Sequence, residues 1–273
     1  MYKWNLGGGS VLDFSVGGMY RDKKRDSFFN EYTFDSATGS KDPQYQGTDW
    51  NNYDELLFAA RKYGNISDPL NYDATEKIGA GYGMVKYTYG RWELIGGVRV
   101  EHTNQGYTLK FPTESADPKG NQKYTDVLPS FHAKYGVHEN ANLRLSYARS
   151  INRSSFFEIV PYSIINEDYK EKGNPDLKHT VADNVDFRYE FFPKSSEQFM
   201  IGAFYKYLKD PIEYGLLNEG QDTYYKPMNF GNATNLGLEV DIMKYFNWFG
   251  IKANYTYTHS KITTEKRLSL IHI

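Results

Sequence analysis

The chain has 273 residues, of which 24% are charged and 17% aromatic, with a formal net charge of -2 at pH 7. This aromatic content excludes a disordered chain, and the weak acidic charge offers no basic surface for nucleic acid. No apolar run reaches the roughly 18 residues of a transmembrane helix. Because cysteine is absent, a disulfide framework and thiolate metal sites are also excluded.

The first predicted strand alternates apolar residues such as Leu12 and Phe14 with polar ones. The charged run at 21–26 follows without the glycine, proline or asparagine of a tight turn, which favours one long strand over a hairpin. A long polar insertion at 35–73 comes next, and within it 54–62 is predicted to form a short helix.

Alternation continues through the rest of the chain and predicts strands with one apolar and one polar face. It is clearest at 184–191, where four apolar side chains face one way and four polar or charged ones face the other. The apolar positions of these strands include Ile78, Ala80, Tyr82, Met84, Trp92, Leu94, Val98, Val100, Leu143, Leu145, Tyr147, Val185, Phe187, Tyr189, Phe191, Leu236, Leu238, Val240, Ile242, Ile251 and Ala253.

About nine antiparallel strands result, and the connections between them alternate between short and long. The short ones are 89–91, 136–141, 193–196 and 245–249, and the long ones are 35–73, 102–123, 151–179 and 209–230. Aromatic residues gather at the short connections, from Tyr89 and Trp92 to Trp248 and Phe249. A soluble sandwich has no reason to place every long loop at one end. An outer-membrane barrel has short periplasmic turns, long extracellular loops and aromatic girdles. The pattern therefore predicts an all-β, antiparallel transmembrane β-barrel.

Several short segments follow one another in a distinctive order within residues 10–260. They are Leu128-Pro129-Ser130, Leu143-Arg144-Leu145-Ser146-Tyr147-Ala148, Asn152-Arg153, Gly173-Asn174-Pro175-Asp176-Leu177 and Gly237-Leu238-Glu239. Together they resemble the C-terminal barrel of TonB-dependent outer-membrane receptors of the type found in Bacteroidetes. Ser154 departs from the family, which often has proline after the arginine, so the local turn is expected to differ.

The resemblance implies a parent barrel of about 22 strands, preceded by a signal peptide and a plug domain. Residues 1–20 lack the apolar core of a signal peptide. We therefore expect 1–267 to be a partial barrel without plug or signal peptide, and 268–273 to be a non-native tail.

By the same resemblance, the chain is part of a receptor in the Gram-negative outer membrane, and not an enzyme. Such a receptor binds a bulky, scarce ligand at its extracellular face and imports it with energy transmitted by TonB. The expected ligand is an iron chelate, haem or an oligosaccharide. The implied partners are outer-membrane lipid, the TonB complex acting through the plug, the ligand and a surface lipoprotein. A passive porin-like or structural barrel is the alternative, and a soluble all-β binding domain is a further one.

Two groups of candidate site residues follow from these expectations. Loop tyrosines suit stacking on sugars or aromatic chelators, and the candidate ligand contacts are Tyr214, Tyr224, Tyr225 and Arg153. Charges on the polar face of a barrel strand need partners, which a polar plug would supply. The residues predicted to face the lumen and plug are Arg99, Glu101, Arg144, Asp186, Arg188, Glu190 and Glu239.

No catalytic group, cofactor or metal site is predicted. The six histidines are scattered without the spacing of metal ligands. A hydrolytic group can be imagined from His102, Asp126, Ser130 and His132. Nothing in the sequence fixes its geometry, so hydrogen bonding in a loop or lumen is the expectation for these side chains.

Overall fold

A computed structural model describes residues 2–29, 34–36, 58–60, 70–112, 117–165, 170–219 and 222–263. The elements are β1 (Tyr2–Gly7), β2 (Ser10–Ser27), β3 (Phe34–Ser36), β4 (Phe58–Ala60), β5 (Tyr72–Tyr89), β6 (Trp92–Leu109), β7 (Lys119–His138), β8 (Ala141–Asn152), α1 (Phe156–Ile159), β9 (Ser163–Ile165), β10 (Lys170–Lys172), β11 (Thr180–Lys194), β12 (Glu197–Lys209), β13 (Ile212–Glu219), β14 (Asp222–Asn229), β15 (Asn232–Tyr245) and β16 (Gly250–Thr263). Within these residues, no helix is long and apolar enough to cross a membrane.

Ten long strands form one antiparallel sheet in the order β1-β2-β5-β6-β7-β8-β11-β12-β15-β16. Its short connections are 8–9, 90–91, 139–140, 195–196 and 246–249, and its long ones are 28–71, 110–118, 153–179 and 210–231. Because neighbouring strands are antiparallel, all short connections lie at one end and all long ones at the other. We call these the short-turn end and the long-loop end. The predicted alternation of connections is thus confirmed.

Four details differ from or refine the expectations. Residues 2–7 add a strand, because Gly7, Gly8 and Gly9 all adopt positive φ and turn the chain back. β2 runs unbroken through 21–26, as expected from the missing turn residues. The polar loop predicted at 102–123 shrinks to 110–118, because β6 and β7 extend past the alternating pattern.

The short helix predicted at 54–62 is wrong where it can be checked. Phe58–Ala60 is a strand that pairs with Phe34–Ser36 in a separate two-stranded sheet. The other residues of 54–62 lie outside the described part of the chain. A helical pattern of apolar residues over so few positions does not distinguish a short helix from a short strand.

The register of the sheet aligns its apolar residues in rows that cross all ten strands. One such row contains Trp4, Leu12, Tyr87, Leu94, Ala133, Leu145, Phe187, Ala203, Leu238 and Tyr257. The adjacent row on the opposite face contains Asn5, Val11, Thr88, Glu93, Lys134, Arg144, Arg188, Gly202, Glu239 and Thr256. The sheet is therefore amphipathic across its whole width. We call the face with Phe187 the outer face and the face with Arg188 the inner face.

On β5 the faces are exchanged toward the long-loop end. Ala80 pairs with Glu101 and Tyr82 pairs with Arg99, so the apolar set of β5 lies on the inner face there. Glycines occupy the outward positions between Lys77 and Val85. Composition alone would place this apolar set with the outer residues, and only the register shows otherwise.

The buried core lies at the long-loop end of the inner face. Residues of β5, β6 and the connection 153–179 form one cluster. Its members are Tyr72, Ala74, Tyr107, Leu109, Phe156, Ile159, Val160 and Leu177. The connection 153–179 thus folds down onto the inner face and covers its upper part.

Candidate ligand-binding site

All seven charged residues singled out from the sequence for the polar faces of the strands lie on the inner face. They fall into two zones. Arg99 and Glu101 lie near the long-loop end, under the connection 153–179, and the other five lie nearer the short-turn end, where no loop covers them. We call these zones the covered wall and the open wall.

The open wall is a mosaic of ion pairs. Arg144 Nε donates to Glu190 Oε2 at 2.7 Å, and Arg188 Nη2 lies 3.7 Å from Glu239 Oε2. Asp186 accepts only a long contact from Ser146, at 3.5 Å. A depression of about 550 Å³ lies over this zone, and the charged residues among its lining are Glu93, Lys134, Arg144, Asp186 and Arg188. Both signs of charge are present, so this surface suits a polar rather than an apolar occupant.

The covered wall centres on Glu101, which is buried on the inner face of β6. Its carboxylate accepts hydrogen bonds from Arg99 and from Arg153, and Arg153 also donates to the Thr103 hydroxyl at 3.1 Å. Two guanidinium groups on one carboxylate compensate a charge that is largely shielded from water. Arg153, a predicted ligand contact, therefore holds the start of a loop against the wall.

The next turn of the connection 153–179 is the helix α1, which sequence analysis did not predict. Ser155 Oγ accepts from Glu158 N at 3.2 Å, and Glu158 accepts from Ser155 N at 2.6 Å, which makes a complete capping box. The Ser-x-x-Glu spacing is visible in the sequence. The backbone carbonyl of the preceding Ser154 accepts from the Gln105 amide at 2.8 Å, so the serine found where proline is frequent sits in an ordered, buried contact.

The segment 173–177 joins three parts of the structure. Gly173 N donates to Tyr162 O and Asn174 N donates to Glu158 O, which ties the segment to the chain around α1. The Asn174 side chain donates to Pro227 O in β14 at 2.9 Å. On the other side, the Gln122 side chain donates to two carbonyls of 175–177 from the inner face of β7. This segment resembles a family motif because it connects two loops to the wall.

The connections 153–179 and 210–231 form one unit above the covered wall. Their strands make a four-stranded sheet, β13-β14-β10-β9, in which β10 pairs in parallel with β14. A reciprocal pair of hydrogen bonds reinforces the joint, since Lys178 N donates to Asn229 Oδ1 and Asn229 Nδ2 donates to Lys178 O. The two loops therefore present one continuous surface at the long-loop end.

The three candidate tyrosines lie in this unit but not on one face. Tyr214 and Tyr225 stack with ring centroids 5.0 Å apart. Tyr224 lies on the opposite face of the β13–β14 hairpin, with the Lys172 ammonium 3.3 Å from its ring centroid. The hairpin thus separates the predicted set into a stacked pair and a cation–π site.

A neighbouring phenol extends the stacked pair. Tyr162 donates to Glu171 Oε1 at 2.6 Å, and its ring is buried. Burial, followed by the hydrogen bond to Glu171, raises the pKa of the Tyr162 hydroxyl, and burial also raises the pKa of Tyr214. Both groups therefore stay neutral donors at physiological pH.

Sequence reasoning missed the polar contacts that hold the loop to β7. His179 stacks on Tyr124 with centroids 4.0 Å apart, and its Nε2 lies 2.8 Å from Asp126 Oδ1. The imagined hydrolytic group does not assemble, because His102 and Asp126 lie on opposite faces of the sheet. Within the described residues, no group of three His, Asp or Glu side chains is arranged to hold a metal ion. A period-two count continued through 102–123 would have placed Gln122, Tyr124 and Asp126 on the inner face.

The sequence model of the outer membrane protein beta-barrel family matches residues 61–270. This match covers most of the chain, and the amphipathic antiparallel sheet agrees with it. The chain belongs to this family. Its location is therefore the outer membrane, and its outer face is the surface that meets lipid. No curated protein matches the sequence.

Solved structures share the fold. The siderophore receptor PiuA from Acinetobacter baumannii matches with a TM-score of 0.63 and 18% identity, over 96% of this chain and 37% of that one. The FrpB iron transporter from Neisseria meningitidis matches at 0.55 and 14%, over 95% and 34%. The Serratia marcescens hemophore receptor HasR, in complex with its hemophore HasA and heme, matches at 0.63 and 12%, over 95% and 40%. The chain thus spans little more than a third of the length of these transporters and receptors.

The lipid-facing row gives a direct test of the family's membrane-spanning geometry. Phe187 lies in the middle of that row with about half of its surface exposed. We expect Phe187→Lys to destabilise the complete protein by about 2–4 kcal/mol, because it places a charge against acyl chains. The measurement is the midpoint of urea unfolding in phospholipid vesicles. Ser130→Lys, which points into the lumen, is the control, and an equal loss for both would contradict the assignment of the faces.

Proposed function

We propose that this chain is the barrel part of an outer-membrane receptor that imports a bulky, scarce ligand with energy transmitted by TonB. The observation that carries this proposal is the covered wall, where two long loops join in one sheet and fold over a charged inner face. A simple diffusion pore gains nothing from such a cover. A receptor needs it, because the loops supply a binding surface directly above the path through the lumen.

The ligand proposed is an iron chelate or haem. The titles of the similar structures name an iron transporter, a siderophore receptor and a hemophore receptor in complex with heme. The loop unit offers the stacked pair of Tyr214 and Tyr225 and the Lys172–Tyr224 site, which suit flat, conjugated or anionic groups. An oligosaccharide would use the same aromatic surface and is the second ligand class.

The open wall supports a plug as a partner. Its mosaic of arginines and acids would be paired by a polar domain inside the lumen, which also prevents leakage through so wide a barrel. Energy transfer from the TonB complex would act through that plug. A surface lipoprotein is a further proposed partner above the loops, and the proposed role is transport rather than catalysis.

Uptake measurements on the complete protein in its own host test this proposal. We expect uptake of a labelled ferric siderophore or of haem to require both the protein and TonB. A passive barrel would instead give uptake that is independent of TonB, and would admit sugars in a vesicle-swelling assay. That result would overturn the proposal in favour of a porin-like function.

A further inference from the structure

The wall of the barrel is split between β7 and β8 at the long-loop end. The two strands pair only from Ser130–Ala148 toward the short-turn end. Above that point β7 continues to Lys119 and stays paired with β6 on its other side. β8 continues to Asn152 and stays paired with β11. Each strand therefore has a free edge facing the split.

Pro129 explains why the ladder stops there. Gly136 N donates to Arg91 O, so even-numbered residues of β7 direct their backbone groups toward β6 and odd-numbered ones toward β8. Pro129 therefore faces β8, where it has no N–H to offer the carbonyl of Arg149. Pairing to β6 is unaffected, because only the odd positions face the split.

The free edge of β7 extends over 121–127. The backbone N–H and C=O groups of Asn121, Lys123, Thr125 and Val127 point into the split and have no partner among the described residues. The outward side chains of this edge are polar except for Val127, so the edge lies at or above the boundary of the apolar band. Unpaired groups are stable there only while water or another chain satisfies them.

The segment 176–181 lines the other side of the split without closing it. It holds β7 by side-chain contacts alone, through the Tyr124–His179 stack and the Gln122 amide. A cleft of about 410 Å³ remains between them. It is lined by Gln122, Tyr124, Asp176, Leu177, Lys178, His179, Val181, Lys209 and Asp210. We call the free edge and this space the edge cleft.

We infer that the edge cleft binds an extended polypeptide segment, which adds as a strand to 121–127. Donors and acceptors alternate along the edge and repeat about every 6.8 Å, the length of two strand residues. A lipid phosphate supplies acceptors only, whereas another strand satisfies both kinds of group. The charges around the cleft balance, with Lys178 and Lys209 against Asp176 and Asp210. Recognition therefore depends on backbone pairing more than on the sequence of the bound segment.

Amide hydrogen exchange on the complete protein in detergent micelles tests the edge and its occupant. Without peptide, the amides of Lys123, Thr125 and Val127 should exchange rapidly, while those of Gln122, Tyr124 and Asp126 are protected. The probe is a synthetic hexapeptide of alternating threonine and valine. We expect it to slow exchange at the three odd positions at least tenfold. The same peptide with N-methyl groups on alternate residues should have no effect.

A matched pair of variants removes the edge without changing the side chain in question. Lys123→Pro lacks only an N–H that faces the cleft, as Pro129 does, and should abolish the protection by the peptide. Lys123→Thr retains the N–H and should keep it. Equal protection of odd and even amides without peptide would show that the edge is already paired and would overturn the inference. Protection by anionic lipid vesicles but not by the peptide would also overturn it, in favour of a lipid headgroup.

Discussion

Gly173→Ala should release the connection 153–179 from the inner wall while the barrel strands stay folded. A Cβ at Gly173 would overlap the backbone oxygen of Val160 and come within 3.0 Å of the Tyr162 ring. Backbone cannot move aside as a flexible side chain can, so the segment 173–177 must leave its position. We expect a local loss of about 3 kcal/mol or more, at the upper end of what single substitutions cost.

Limited proteolysis and hydrogen exchange of 153–179 in the complete protein measure this release. The matched control is Gly79→Ala, because a Cβ at Gly79 meets no atom within 4 Å. If the proposed function is correct, Gly173→Ala also weakens ligand binding, since Tyr224 and Tyr225 lose the support of β10. Identical protease resistance in the two variants would show that the loop tolerates the overlap and would remove this role of Gly173.

Glu101→Ala should have the second largest effect, because it leaves two arginines facing each other without their carboxylate. The exposed fractions of the side chains are 10% for Glu101, 18% for Arg153 and 29% for Arg99. Complete burial would cost about 3–5 kcal/mol when one partner is removed. Partial exposure lowers the expected cost to roughly 1–3 kcal/mol, because water screens the remaining charges.

A double-mutant cycle separates this pair from general damage. Glu101→Ala combined with Arg153→Ala should cost less than the sum of the single changes, with a coupling of about 1 kcal/mol. The measurement is the urea concentration at which 153–179 becomes accessible to protease. Glu239→Ala is the control, because its partner Arg188 is 3.7 Å away and both side chains are about half exposed. Additive single effects at Glu101 and Arg153 would contradict a direct interaction across the covered wall.

The barrel itself was largely predictable, because a membrane wall imposes its pattern on every strand. One face meets lipid and the other meets polar groups, so alternation such as that of 184–191 marks both the strand and its faces. Local turn chemistry added the missing β1 at Gly7–Gly9 and would have been found by attention to three consecutive glycines. The 22-strand total and the nature of 268–273 stay predictions, since 264–273 lies outside the described residues.

The candidate site was predicted only in its parts. Arg153, Glu101 and the loop tyrosines were named, but the sequence does not show that Arg153 contacts Glu101 across 52 positions of the chain. Nor does it show that Tyr224 faces away from Tyr214 and Tyr225, because that depends on the register of a hairpin within a loop. Contacts between distant loop residues carry no periodic signal in a single sequence.

The segment 173–177 shows where the boundary lies between sequence and tertiary structure. Its composition marks a turn, since glycine, asparagine and proline restrict the backbone locally. That it joins α1, β14 and β7 was decided by packing, because the partners of Asn174 and Leu177 come from three separate parts of the chain. The sequence by itself determined the strands, their faces and their alternating connections, since these follow from a local period of two. Only the tertiary structure decided which loops cover the lumen and where the wall opens. Those features depend on long-range pairing and on one proline whose missing N–H faces β8 rather than β6.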